Sequence, residues 1–184
     1  MTDLVARAEG FARAAHAGQT RKGAAREPYA LHLEEVADFV RRHGGDDIAV
    51  AAAWLHDTVE DCGVAPVALA DAFGAEVTAV VAELTDDKSL PKAERKRLQE
   101  ANARKKSPRA ALVKLGDKAS NIRAVGMSPP VHWDDARAAA YVDWALRVAA
   151  ALPKGHDAAR LELAAVAERT RRVLEDRALG AVHL

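Results

Sequence analysis

The sequence is poor in cysteine, in aromatic residues, in net charge and in long apolar runs. Cys62 is the single cysteine among 184 residues, so no intramolecular disulfide, CxxC zinc pattern or disulfide framework can be drawn. A reducing cytoplasm is the expected compartment. Aromatic residues make up only 4% of the chain, which leaves the core to aliphatic side chains. Lys plus Arg and Asp plus Glu number 27 each. That balance gives no whole-molecule attraction to nucleic acid or to an anionic membrane, and any anionic ligand must be captured locally. No stretch approaches the length of a membrane span, and the N-terminal "MTDLVARAEGFARAAH" lacks the basic and apolar regions of a signal peptide.

What is present is alanine, leucine and helix punctuation. Apolar residues reach 49%, enough for one sizeable core, and no repeat, linker or low-complexity tract divides the chain. The expectation is an all-α, single-domain helical bundle over 1–184. Thr2 or Asp3 caps a first helix to about His16, with Leu4, Ala8, Phe11 and Ala15 as its stripe. The following "AGQTRKGAAREPY" is a loop whose Arg21, Lys22 and Arg26 serve either solvation or a ligand. A second helix carries His32 at its start and buries Leu33, Val36, Ala37 and Val40. Asp46 or Asp47 caps a third, whose Ile48, Ala51, Ala52 and Leu55 lead to "HDTVED".

Pro66 opens a short helix ending at Gly74, and another runs from Ala75 to about Leu84. After a "TDDKSL" loop, "PKAERKRLQEANARKK" reads as a charged, solvent-facing helix. Ser107 and Pro108 begin the helix that contains "LVKLGDKASNIR", and two further helices span about Asp134 to Leu152 and Asp157 to Arg177.

The chemistry concentrates at His56, Asp57, Glu60 and Asp61, directly behind an apolar run. His56 and Glu60 are four apart and Asp57 and Glu60 three apart, so they share a face if the helix continues through its last turn. Imidazole and carboxylate are the usual donors for a divalent metal, which makes a half-buried carboxylate cluster tolerable. A histidine at a helix C-terminus with solvated acids behind it is the plainer alternative. Asp117 follows an apolar run in the same way, and aspartate inside a helix asks for a partner. Lys114 stands three residues from Asp117 and could equally be an exposed salt bridge.

"RKGAAREPYALHLEEVADF", "AAAWLHDTVEDCGV", "FGAEVTAVVAELTDDKSLPKAERKRLQ" and "LVKLGDKASNIR" resemble, in order and spacing, the successive motifs of HD-domain hydrolases of the RelA/SpoT type. "LTDDKSLPKAERKRLQ" and "HWDDARAAAYVDWA" are similar to the small, stand-alone alarmone hydrolases of that group, the metazoan SpoT homologue among them. The resemblance implies that His32, His56, Asp57 and Asp117 hold a manganese ion. By the same likeness Glu60 and Asp61 position or deprotonate the attacking water, Arg21 and Lys22 contact a nucleotide, and Asn121 lies near its ribose.

The substrate implied is guanosine tetra- or pentaphosphate (ppGpp or pppGpp), losing its 3′-pyrophosphate to leave GDP or GTP. Lys114, Lys118 and Arg123 are further cations for such a polyanion, and Trp133, Arg137 and Tyr141 recur at helical spacing as a wall for it or as core. The same pocket suits the 2′-phosphate of NADPH as an alternative. A non-catalytic alarmone-binding module is the other, which the intact set of acids and histidines argues against. Leu33 and Gly116 stand where this family often has proline and alanine, and the "GAAREPY" loop also departs from its pattern, which bears on helix rigidity and loop pose. No synthetase region accompanies the motifs, so alarmone synthesis is not expected.

Overall fold

The structure, a computed structural model, describes residues 2–181. Among the described residues the regular elements are all helical: α1 (Asp3–Ala15), α2 (Tyr29–Arg42), α3 (Asp47–Leu55), α4 (Thr58–Cys62), α5 (Pro66–Phe73), α6 (Ala75–Leu84), α7 (Lys92–Asn102), a 3₁₀ turn (Ala103–Lys105), α8 (Pro108–Met127), α9 (Asp135–Ala151) and α10 (Asp157–Ala181). The starts follow local chemistry. Asp46 accepts the Ala49 N–H at 2.9 Å, Ser107 that of Ala110 at 3.3 Å and Asp134 that of Arg137 at 2.7 Å, each satisfying one of the orphan donors of a helix N-terminus. Pro66 and Pro108 occupy first turns, where a missing N–H costs nothing.

The bundle is organised around α8, whose residues from Ala110 to Ser120 are all buried. It packs against α2, α3, α6, α9 and α10, so it has no solvent face along this stretch and its burial is wider than the stripe of Ala111, Leu112, Leu115, Ala119 and Ile122 suggests. Leu33, Leu55, Leu112 and Leu115 are nearly or completely excluded from water, each contributing roughly 2 kcal/mol of apolar transfer. Gly116 permits the closest approach of α2: a Cβ there would stand 3.1 Å from Phe39 Cδ1 and 3.3 Å from Val36 Cγ1. The glycine leaves α8 unbroken, and Leu33 is simply core.

Two expectations need correction. The deep face of α1 is Val5, Ala8 and Ala12, while Leu4 and Phe11 are half-buried; α1 packs chiefly on α3. The third helix also does not continue through "HDTVED". It stops at Leu55, and α4 begins at Thr58, with Asp57 at φ −102° between them. Side chains supply the reason: His56 Nδ1 lies 2.7 Å from the Ala53 carbonyl and Thr58 Oγ1 donates to the Leu55 carbonyl at 2.7 Å. Those local bonds compete with the helix ladder.

Candidate active site

The α3–α4 break decides where the charged groups point. His56 is only 2% exposed and Asp57 is half-buried, facing α2 rather than solvent. From α2, one turn in, His32 arrives with 1% exposure. From the middle of α8 comes Asp117, 7% exposed. His32 Nε2 is 3.6 Å from Asp57 Oδ2 and 3.7 Å from Asp117 Oδ1, and His56 Nε2 is 3.1 Å from Asp57 Oδ2. Donor atoms of His32, His56 and Asp57 all fall within 4.8 Å of one another.

Donor chemistry and geometry both fit a divalent cation. Bonds of about 2.1 Å at right angles put neighbouring donors about 3 Å apart, close to the spacings seen. His56 Nε2 is buried and lies beside Asp57 without the alignment of a hydrogen bond. Its Nδ1 is committed to the Ala53 carbonyl, the arrangement by which a metal-binding imidazole is usually oriented. Burial pulls His56 down, but the charges of Asp57 and Asp117 outweigh it and push the imidazole up to about 9. Asp57 answers in the opposite sense: burial would raise it, yet the neighbouring imidazoles hold it well below the usual carboxylate range. A cation captured here takes the place of a proton.

Asp117 stands slightly apart from the tight trio. Lys118 and Lys114 approach its Oδ2 at 3.3 and 3.4 Å, and Asn121 donates to its Oδ1 at 2.6 Å. Burial raises it, but the two ammonium groups outweigh that and hold it below the usual range. Lys114, 5% exposed, therefore neutralises a buried carboxylate. It does not line the cleft described below, because α8 is enclosed where Lys114 emerges, and this departs from its expected place among the substrate contacts.

Glu60 and Asp61 lie on α4, separated by their partners. Glu60 accepts the Asp86 N–H at 3.2 Å and Arg95 Nη1 at 3.3 Å, and burial pushes its carboxyl above the ordinary glutamate value. Asp61 faces the cleft and is paired with Lys88 at 2.5 Å. Tyr29 joins the two halves of the site: its hydroxyl donates to Asp57 Oδ2 at 2.6 Å and lies 3.4 Å from Asp61 Oδ2. Sequence reasoning missed Tyr29, whose only signal is its position three residues before His32 on the same helix face.

A cleft of about 520 Å³ opens beside these groups between the α1–α2 loop, α7, α8 and α9. Arg21, Lys22, Asn121, Trp133 and Tyr141 line it, and so do Lys92 and Lys96. Arg137 is held 5.2 Å over the Trp133 ring, outside the lining residues. The two α7 lysines were hidden by the helix's overall charge. Their i, i+4 spacing puts them on one face, where Lys96 Nζ sits 4.4 Å from the Trp144 ring and 5.3 Å from that of Tyr141. Burial lowers both lysines, and neighbouring cations add to it, Lys22 and Arg137 at Lys92 and Lys92 and Lys118 at Lys96, leaving cations that gain from an anionic ligand. The α1–α2 and α8–α9 loops close the rim through Gly23, whose Cβ would collide with the Ser128 carbonyl oxygen.

A helical bundle that gathers two imidazoles and two carboxylates from three segments, beside a cationic cleft, is the architecture of a histidine–aspartate metal centre. The sequence profile described as "HD domain" matches residues 8–146. A Xenopus tropicalis protein named guanosine-3′,5′-bis(diphosphate) 3′-pyrophosphohydrolase MESH1 is 42% identical over 147 residues, 79% of this chain and 82% of its own length. Its Homo sapiens namesake is 43% identical over 140 residues, 75% of this chain and 78% of its own. The solved structure described as a metazoan ortholog of SpoT that hydrolyzes ppGpp superposes with a TM-score of 0.87 at 34% identity, covering 92% of this chain and 96% of that one. The chain belongs to the HD-domain family, of the RelA/SpoT type.

Proposed function

We propose that this chain, acting as a single hydrolase domain over 1–184, is a manganese-dependent pyrophosphohydrolase of ppGpp and pppGpp, releasing pyrophosphate and leaving GDP or GTP. The observation that carries the reading is the convergence of His32, His56, Asp57 and Asp117 behind Tyr29, which is hydrogen-bonded to Asp57 and lines a cleft together with Arg21, Lys22, Lys92 and Lys96. Relatives of nearly the same length that carry this activity in their names support it.

His32, His56, Asp57 and Asp117 would hold the ion. Manganese bound there supplies Lewis acidity toward water and neutralises phosphoryl charge. The chain's own groups do the rest. Lys22, Lys92 and Lys96 draw the polyphosphate into the cleft, and Tyr141 and Trp133, with ring centroids 5.5 Å apart, offer apolar surface to the nucleoside. Asn121 lies where a sugar hydroxyl can meet it. Asp61, on the cleft wall, orients the attacking water and accepts its proton; Glu60 locks α4 against Arg95 and the backbone at Asp86. Among the described residues no helix is long and apolar enough to cross a membrane, and Cys62 is a free thiol, in keeping with action in a reducing cytoplasm.

The test is product analysis on the purified, manganese-loaded chain. Stoichiometric pyrophosphate and GDP from ppGpp, abolished by chelation and by His56→Ala, is the expected result. Tight ppGpp binding with no turnover, or faster phosphate release from NADPH under the same conditions, overturns it.

A further inference from the structure

Ser120 stands one turn beyond Asp117 on α8, 5% exposed. Its hydroxyl meets three groups, two from α2 and one from the α1–α2 loop: Glu35 Oε2 at 2.6 Å, His32 Nδ1 at 2.9 Å and Arg21 Nη1 at 3.1 Å. Serine has one proton to give and two lone pairs to offer. Glu35, paired with Arg123 and 3.8 Å from Arg21, is a carboxylate and only accepts, so it receives the proton. A guanidinium only donates, so Arg21 takes one lone pair. The remaining contact, with His32, is satisfied only if Nδ1 carries the hydrogen.

We propose that Ser120 is a positioning residue: its hydroxyl, oriented by Glu35, fixes the Nδ1–H tautomer of His32 and leaves the Nε2 lone pair toward Asp57 and Asp117, while anchoring Arg21 at the cleft. The part concerning the cation rests on the function proposed above. Arg21 is held a second time by the Ser120 carbonyl at 3.3 Å and Asn121 Oδ1 at 3.1 Å, so one turn of α8 ties a histidine of the metal centre to an arginine of the cleft. With so little exposure, water is a poor substitute for the hydroxyl. The device differs from the one at His56, whose Nδ1 is fixed by a main-chain carbonyl that no substitution removes.

Long-range ¹H–¹⁵N correlation spectra of the metal-free, histidine-labelled chain at neutral pH read the tautomer directly. The wild type should show His32 protonated at Nδ1. Ser120→Ala should move it toward the Nε2–H form and weaken manganese binding, measured by electron paramagnetic resonance titration, by about tenfold or more. Ser120→Thr, which keeps the hydroxyl, should restore both. An Nε2–H tautomer in the wild type, or an alanine variant with unchanged tautomer and unchanged manganese affinity, overturns the assignment. If the alanine variant does not fold, the wild-type spectrum decides. Absence of manganese binding by the wild type overturns the functional reading instead, and the tautomer still decides this one.

Discussion

Among the described residues histidine faces carboxylate in two places, with opposite surroundings. At the α2–α10 clasp, Glu162 accepts from both Arg42 nitrogens at 2.8–3.0 Å and lies 2.8 Å from His43 Nε2. Arg42 and Glu162 keep 56% and 32% of their side-chain surface in water. At the α2–α3–α8 centre, His32 and His56 are almost fully buried and face Asp57 and Asp117. In the clasp, solvent supplies the missing interactions and the pair is worth little. In the centre only neighbouring side chains supply them, Lys114 and Lys118 toward Asp117 among them, and the trio of His32, His56 and Asp57 could also hold a cation. The same chemistry is a fastener in one region and a receptor in the other.

The largest break in that comparison is Asp57→Ala. It removes the carboxylate that both imidazoles face, and kcat/KM on ppGpp should fall on the order of 1,000-fold, measured by pyrophosphate release. A loss under tenfold sinks the metal-centre reading. Next is Asp117→Asn, which leaves Lys114 and Lys118 buried against a neutral partner. The metal-free chain should lose about 3 kcal/mol, seen as a fall in Tm of about 6–12 °C. An unchanged Tm would mean that these lysines are not held by Asp117.

Lys96→Ala sharpens the contrast on the ligand side. Removing one cleft cation should raise KM for ppGpp about tenfold with kcat little altered; a fall in kcat alone contradicts the assigned role. The smallest effect belongs to the clasp. Hydrogen bonds from Arg42 hold Glu162 below its ordinary value of 4.5, against a smaller opposing effect of burial. Its contribution is therefore present above about pH 4.5 and is lost as the pH falls through the depressed folded value. Glu162→Gln should lower Tm by no more than about 3 °C at pH 7, a difference that shrinks in acid melts. A gap that widens in acid would contradict this.

Much of this could be read from the chain. Caps at Asp46, Ser107 and Asp134 mark helix starts by local chemistry alone, and His56, Asp57 and Asp117 stood out as polar groups behind apolar runs, whereas His32, at the start of a helix, was marked only by the family resemblance. The break between α3 and α4 was not legible, because helical spacing at "HDTVED" is satisfied until His56 and Thr58 take the preceding carbonyls. Lys96 was not legible either: α7 has no fully buried residue, and only the position of α9 turns one of its charged faces into a cleft wall. The burial of Lys114 was not legible, its ion pair with Asp117 being local while its burial depends on α8 being enclosed.

The bond between His32 and Ser120 joins positions 88 residues apart. Closing so long a loop is an entropic cost that only a nearly finished fold can offset. On the ribosome, a chain that has emerged only through α7 owns His56 and Asp57 but not Asp117 or Ser120, and its His32 lacks the hydroxyl that meets Nδ1. The set of four is therefore complete only once α8 has docked, and α9 and α10, made afterwards, close over it.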